Sequence, residues 1–529
     1  MLFNSLLFLV FLIVAVLGSW AIGSWGRATS AMGSDEDDGA NSDGASTATA
    51  TGGLVGQGAS AQASPAKQRP QQRHRDLART LRFVFLLAAS YLFYMAWNPR
   101  FIALIIASTL VDFWVAQRIE DTPDTETAKR KHLLWGSLAM NLGLLGYFKY
   151  TNFFLQSVSG AASLLGADLA IPLFSIVLPV GISFYTFQTM SYTVDVYRRQ
   201  IPAERSLLKF ALYVSFFPQL VAGPIVRAAD LLPQFHRSVS LDREQVGAAL
   251  FRIARGLVKK VVVADFLAVN LVDRAFSNPE IYSSPELLIA LYGYTMQIYC
   301  DFSGYTDVAI GTAQLLGYKL PENFDRPYAA TTVAGFWRRW HITLAGWLRH
   351  YVFFPLGGSR GSIWKAHRNT FITLILIGLW HGANWTFVVY GAIHGIAISI
   401  NRMLVRRNGR RVDEFAQPWH QILWKVALTF HFVVLLRILF RAPGFGEAAD
   451  YTTHLLSNGW GLGRIDAGVW AMLGVSYAIH WTPRRWIDWC GEFFTDLPMS
   501  AKGLALAGLA ALVATVAETD VVPFIYFQF

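Results

Sequence analysis

The sequence predicts an all-α, polytopic membrane protein, and three observations carry that prediction. Charged residues make up 15% of the 529-residue chain and apolar residues 53%, where a soluble domain carries roughly 25% charge. Residues 371–400 (FITLILIGLWHGANWTFVVYGAIHGIAISI) hold no Asp, Glu, Lys or Arg, a run long enough to cross a bilayer as a helix. The Lys and Arg residues, which leave a formal net charge of +10, gather between apolar runs, as they do in cytoplasmic loops.

Taken in chain order, residues 1–26 carry no charge. A cleaved signal peptide would show a basic stretch before its apolar core, so this segment is expected to be a retained transmembrane helix with its N-terminus outside. Residues 27–79 open with Ser34–Asp38 (SDEDD), continue through Ala, Gly, Ser, Thr and Gln, and close on the basic run Lys67–Arg82. Such a composition cannot bury enough apolar surface to order itself, and predicts a cytoplasmic linker ending in a juxtamembrane anchor or a plain solvated charge run. Residues 80–529 form the core.

Within that core, Leu81–Trp97 and Phe101–Arg118 are joined by the turn Asn98-Pro99-Arg100. Lys129–Lys131 marks an inside loop, and Leu133–Gln156 and Ile171–Tyr192 follow across the nearly uncharged 157–170, which falls outside. Ser206–Pro224 is apolar but broken by Pro218 and Gly223-Pro224, the pattern of a re-entrant or interfacial segment. Gly247–Val263 spaces Arg252, Arg255, Lys259 and Lys260 three or four apart, which predicts a helix at the membrane surface or a snorkelling helix end. Leu287–Gly317, residues 371–400, Ile422–Phe440, Ala467–His480 and Lys502–Val516 complete about ten to twelve helices by length and apolarity. No internal repeat of the inverted-transporter kind is visible.

Chemistry is expected at few places. His381 lies in the uncharged run 371–400, where an ionisable side chain is costly and marks function by default. Its imidazole can exchange a proton near neutral pH, and Gly382 and Ala383 leave room for a substrate or a neighbouring helix. His341 follows Trp337-Arg338-Arg339-Trp340, an arrangement suited to an interface, with guanidinium groups facing phosphate or lipid headgroups. Asp301, Ser303, Tyr305 and Asp307 (within DFSGYTD) form a polar patch whose carboxylates are expected to pair with Arg338 or Arg339, or else to line a proton or cation path. Pro355–Ser362 (PLGGSRGS) reads as a turn between helices. The two cysteines, Cys300 and Cys490, exclude a disulfide framework and a Cys-rich metal site, and Cys300 is expected as a buried thiol. No metal site and no nucleic-acid-binding module is seen.

Asp301–Gly311 (DFSGYTDVAIG), Asn323–Pro327 (NFDRP), Phe336–Leu344 (FWRRWHITL), Tyr351–Gly361 (YVFFPLGGSRG), Leu379–Asn384 (LWHGAN) and Pro523–Phe529 (PFIYFQF) resemble the membrane-bound O-acyltransferase family, and within it the bacterial exopolysaccharide O-acetyltransferases. The resemblance covers nearly all of residues 80–529; the inserted segment 27–79 departs from it. It implies re-entrant and interfacial helices around a central tunnel, with His341 and His381 as the catalytic pair. It implies no bound cofactor and acetyl coenzyme A as acyl donor, in contact with a substrate-binding set drawn from Trp337, Arg338, Arg339, Trp340, Asp301, Ser303, Tyr305, Asp307, Trp380 and Asn384. It further implies a bacterial inner-membrane location, a polysaccharide acceptor and a periplasmic acetyltransferase partner. Other cargoes of the same fold (D-alanyl transfer to teichoic acid, lipid or protein acylation) and an ion-coupled transporter using Asp301 and Asp307 are the competing expectations.

Overall fold

The computed structural model describes residues 6–35, 65–167, 169, 171–221, 223–407, 418–516 and 524–525, and among them all regular secondary structure is helical. Most of the expected linker (36–64) and the C-terminal motif apart from Phe524 and Ile525 lie outside the described residues. Helix α1 (Leu6–Asp35) crosses α2 (Pro65–Met95) at Gly18, where a Cβ would collide with the Phe85 ring. A short turn led by Pro99, in which the Asn98 side chain accepts from the Arg100 amide at 3.1 Å, passes the chain to α3 (Ile102–Asp121).

The next stretch is more helical than its composition predicted, and then less. Helix α4 (Thr127–Leu145), a π-helical turn (Gly146–Tyr150) and α5 (Thr151–Leu164) run on without a break, so most of the expected outer loop 157–170 belongs to a helix. Residues 171–181, predicted as the first half of a span, are not helical, and α6 begins only at Ile182 (Ile182–Tyr197). Pro172 and Pro179 remove helical donors. Gly181 adopts φ +73°, and a Cβ there would lie 2.6 Å from the Leu220 carbonyl oxygen. The broken segment predicted at 206–224 forms α7 (Leu207–Ser215) and the single turn α8 (Phe217–Leu220), with Pro218 in its first turn, followed by α9 (Ala228–Leu231).

The centre of the molecule is α12 (Ser284–Leu315), a 32-residue helix buried along most of its length. It starts on a capping box in which Ser283 and Glu286 exchange side-chain and backbone hydrogen bonds. Against it lie α10 (Arg243–Leu257), a π-helical turn (Val258–Asp265) and α11 (Asp273–Ser277). Helices α10 and α12 touch backbone to backbone: a Cβ on Gly256 would sit 2.7 Å from the Gly304 carbonyl oxygen, and one on Gly304 equally close to that of Gly256. Small residues at such a crossing let the dispersion contacts of two helices in lipid accumulate.

Helices α13 (Val333–Arg339) and α14 (Ile342–Leu348) are short and carry the first histidine between them. The run 371–400, predicted as one membrane helix, is instead a hairpin of α15 (Ile363–His381) and α16 (Trp385–Arg407), turned at residues 382–384. Glycines make it so tight that Cβ atoms on Gly378 and Gly391 would strike the carbonyls of Phe387 and Leu374. Helices α17 (Trp419–Arg441), α18 (Phe445–Ser457), α19 (Ala467–Trp481), α20 (Arg484–Asp496) and α21 (Met499–Val516) complete the bundle. Five stretches, Leu7–Trp25, Gln72–Met95, Pro99–Asp121, Trp385–Arg406 and Trp419–Arg441, are long and apolar enough to cross a membrane among the described residues.

One end of the bundle is basic. There Arg82 donates to Ser19 Oγ at 2.8 Å and to the Leu316 carbonyl at 2.6 Å, tying the middles of α1 and α2 to the C-terminal end of α12. Arg199 and Arg205 fasten onto the C-terminal end of α3 through Glu120, Asp121 and Asp124. The opposite end carries Trp97 and the turn after α2.

Candidate active site

His341 is placed by backbone strain and one asparagine. It sits between α13 and α14 in the left-handed region (φ +44°), unusual for a residue with a side chain, and is fully buried. Asn323 holds it there. The Ile342 amide donates to the Asn323 carbonyl at 3.0 Å, and the Asn323 side-chain oxygen lies 3.1 Å from His341 Nδ1. That oxygen also accepts from the Thr343 amide at 3.2 Å and the Thr343 hydroxyl at 2.9 Å. An oxygen already serving a backbone N–H can only accept, so His341 Nδ1 carries the proton and Nε2 the lone pair.

His381 is the last residue of α15 and is 2% exposed. Its ring centroid is 6.4 Å from that of His341, with Trp380 edge-on to both at 5.3 Å and 5.2 Å. The carbonyls at this helix end are met by the π-helical turn: Tyr150 donates to Leu379 O at 2.9 Å, and Lys149 Nζ lies 2.5 Å from Trp380 O and 3.4 Å from His381 O. The helix terminus that carries the imidazole is thus clamped by two residues in an apolar stretch more than two hundred positions earlier.

Two cavities approach this pair. One, of about 180 Å³, is lined by Trp97, Lys149, Val180, Phe184, Trp380 and His381 and faces the end opposite the basic one. The other, of about 370 Å³, lies toward the basic end among Arg252, Lys259, Ser303, Phe324, Arg326 and Arg484. A ring layer separates the second from His341: Phe324 packs edge-on against Phe302 at 5.0 Å, and Phe302 against His341 at 4.7 Å. Phe524 closes the same layer, 5.4 Å from Phe302 and 4.6 Å from Tyr305.

The carboxylates on α12 do not meet Arg338 or Arg339 as expected. Asp307 is shared by Arg252 (3.1 Å), Arg255 (2.8 Å) and Lys259 (2.5 Å), and Asp301 pairs with Lys260 at 2.6 Å while accepting from the Ile525 amide at 2.9 Å. The basic stripe on α10 and its π-helical turn therefore faces inward. It is neither a surface helix nor a snorkelling end, because α12 supplies buried counter-charges that sequence spacing does not reveal. Locked in these pairs, Asp301 and Asp307 do not form a vacant ion path.

Of the remaining expected residues, Ser303 accepts from Lys259 at 3.2 Å and Tyr305 lies under Lys260, so both belong to this ionic layer. Trp337 donates to His394 Nδ1 at 3.3 Å, and with Arg338 it lines a third, amphipathic cavity between α13, α14 and α15. The Arg339 carbonyl accepts from the Asp325 amide at 2.9 Å. Trp340 is buried beneath the Arg437 guanidinium, 4.9 Å away. Asn384 donates to Pro443 O at 2.6 Å and accepts from the Thr386 amide at 3.0 Å, a capping role at the start of α16. The structure thus joins His341, Trp380 and His381, and distributes the others over the layers around them. Residues 357–361 (GGSRG) have the spacing of a serine-nucleophile elbow, which the reading of 355–362 as a plain turn passed over. They form a turn with Gly357, Gly358 and Gly361 at positive φ, Ser359 exposed and no strand leading in. Cys300 is buried and unpaired, as expected.

Sequence reasoning did not single out Lys149, Tyr150 or Arg437. Lys149 had a signal, being the one charge within Leu133–Gln156. Arg437 is fully buried on α17, with no hydrogen-bond partner for Nε or Nη1 among the described residues.

A helical bundle with two imidazoles packed at its core, approached by cavities from opposite ends, has the architecture of a membrane-embedded transferase. Residues 191–441 match the membrane-bound O-acyltransferase family, and the chain belongs to that family. It is 39% identical over 399 residues to the probable alginate O-acetylase AlgI of Pseudomonas putida, covering 75% of this chain and 78% of that one. To the probable alginate O-acetylase AlgI of Pseudomonas aeruginosa it is 40% identical over 389 residues (73% and 72% of the two chains). To the peptidoglycan O-acetyltransferase of Helicobacter pylori it is 36% identical over 391 residues (69% and 72%). The chain is therefore a polytopic membrane O-acyltransferase.

Proposed function

We propose that this chain passes an acetyl group from a cytoplasmic donor across the inner membrane for O-acetylation of an exopolysaccharide, directly or through a periplasmic acetyltransferase. The observation that carries the reading is the placement of His381 and His341 between a cavity at the basic end and a cavity at the other. Basic ends face the cytoplasm, so the donor enters at the Arg252–Arg484 cavity and the acceptor hydroxyl at the Trp97–His381 cavity. The N-terminus, on this orientation, is periplasmic. Acetyl coenzyme A is the proposed donor, since its phosphates suit Arg and Lys side chains and its thiol arm is long and slender.

His381 is the proposed general base, taking the proton of the acceptor hydroxyl as its oxygen attacks the acyl carbonyl; such help contributes about 10²–10⁴-fold. His341, with its lone pair on Nε2, is placed to position the donor or take part in the same proton transfer. The polysaccharide specificity of the relatives supports an acyl acceptor of that class. His381→Ala is expected to abolish acetyl transfer while the protein still reaches the membrane at wild-type level. Polymer acetylated to the wild-type extent in cells holding only that variant would overturn the assignment.

A further inference from the structure

The clamp on α15 holds more charge than a clamp needs. Tyr150 shows that a neutral donor suffices to cap one of the three carbonyls. Lys149, when protonated, brings an ammonium to the other two, and no carboxylate pairs with it among the described residues. An unpaired cation inside a membrane bundle is costly, and its compensation here is partial: the negative end of a helix and the Trp380 ring 5.8 Å away. Two of its three N–H groups are directed at Trp380 O and His381 O, and the third remains for the cavity that Lys149 lines together with His381.

We infer that Lys149 is a further catalytic residue, whose ammonium receives the negative charge that forms on the acyl oxygen during transfer. The inference rests on acetyl transfer at His381. In that step the acceptor oxygen bonds to the carbonyl carbon of an acetyl thioester, and its proton goes to His381. The carbonyl π pair moves onto oxygen, giving an oxyanion beside Lys149. Collapse of the intermediate re-forms the carbonyl and breaks the carbon–sulfur bond, and the departing thiolate takes up the proton. The helix end and the Trp380 ring compensate the cation in part, and the oxyanion supplies the rest. A donor fixed before the reaction and matched to charge that develops only in the transition state raises kcat rather than affinity.

Lys149→Gln keeps a hydrogen-bond donor for the clamp and removes the charge; Lys149→Arg keeps the charge. Rates of acetyl transfer from acetyl coenzyme A to a soluble acceptor, per mole of full-length protein in proteoliposomes, separate the two roles. The Gln variant is expected to lose about 10²–10³-fold in kcat with little change in KM, the size of one oxyanion donor, and Arg to recover at least a tenth of the wild-type rate. A Gln variant as active as wild type, or Gln and Arg variants equally impaired, would show that the clamp alone matters and would overturn the inference. Wild-type protein without transferase activity would instead refute the proposed reaction itself.

Discussion

At the scale of single residues, the site depends on how each imidazole is held. His341 pays for a left-handed backbone, and Asn323 is what fixes it, through one side-chain oxygen shared by His341 and Thr343. Asn323→Ala removes the acceptor that selects the Nδ1–H tautomer. We expect kcat to fall about 10²-fold or more, because a ring in the wrong tautomer forfeits general acid–base help worth about 10²–10⁴-fold. Asn323→Asp, which keeps the acceptor, should retain more activity than the Ala variant; the reverse order in a transfer assay would sink this account. His381 was legible in the sequence because an ionisable group in an apolar run is conspicuous, whereas His341, beside Arg338 and Arg339, took its role only from the family resemblance. Asn323 appeared there only as part of a motif, since nothing in its spacing connects it to a ring 18 positions later.

Between elements, the decisive pairing is α12 with α10 and its π-helical turn. Four cations from one strip meet two carboxylates from the other, beneath a glycine contact that brings the backbones together. Removing one member of a buried pair strands the other charge and costs about 3–5 kcal/mol, whereas replacing both by apolar groups is close to neutral. Lys260 also pairs with Asp265 at 2.6 Å, so Asp301→Leu leaves the lysine one counter-charge and is expected to cost less than that amount, whereas Lys260→Met strands both Asp301 and Asp265 and is expected to cost at least that amount. Thermal unfolding in detergent measures the difference, and a Lys260→Met variant no less stable than Asp301→Leu would contradict the pairing. The same element scale explains a failed expectation. The run 371–400 has the length of one span, and its composition cannot say that Gly378, Gly382 and Gly391 serve a hairpin, because a glycine looks alike in a helix interior and at a close contact.

For the whole molecule, the prediction concerns sidedness. Cys490, exposed on α20, neighbours the Arg484–Asp488 stretch that lines the basic cavity. A cysteine at Trp97 would sit at the mouth of the other cavity. An impermeant thiol reagent applied to spheroplasts is expected to label Trp97→Cys in a Cys490→Ser background, and to reach native Cys490 only after the membrane is opened. Labelling of both from the same side would rule out donor and acceptor entry from opposite compartments. The basic clusters that suggest this orientation were readable along the chain, and the end where Arg82, Arg199 and Arg205 gather is where they converge.

The chain's own composition and periodicity determined its class: helical, membrane-embedded, with one histidine, His381, in a run where water is scarce. These follow from transfer energies and helix geometry, which act locally and leave their mark on consecutive residues. Only the tertiary structure decided that a lysine near position 150 reaches the end of a helix near 380, that the basic stripe turns inward to α12, and that one apolar run is two helices. Such contacts join residues far apart in sequence, and no local pattern encodes which buried charge will find which partner.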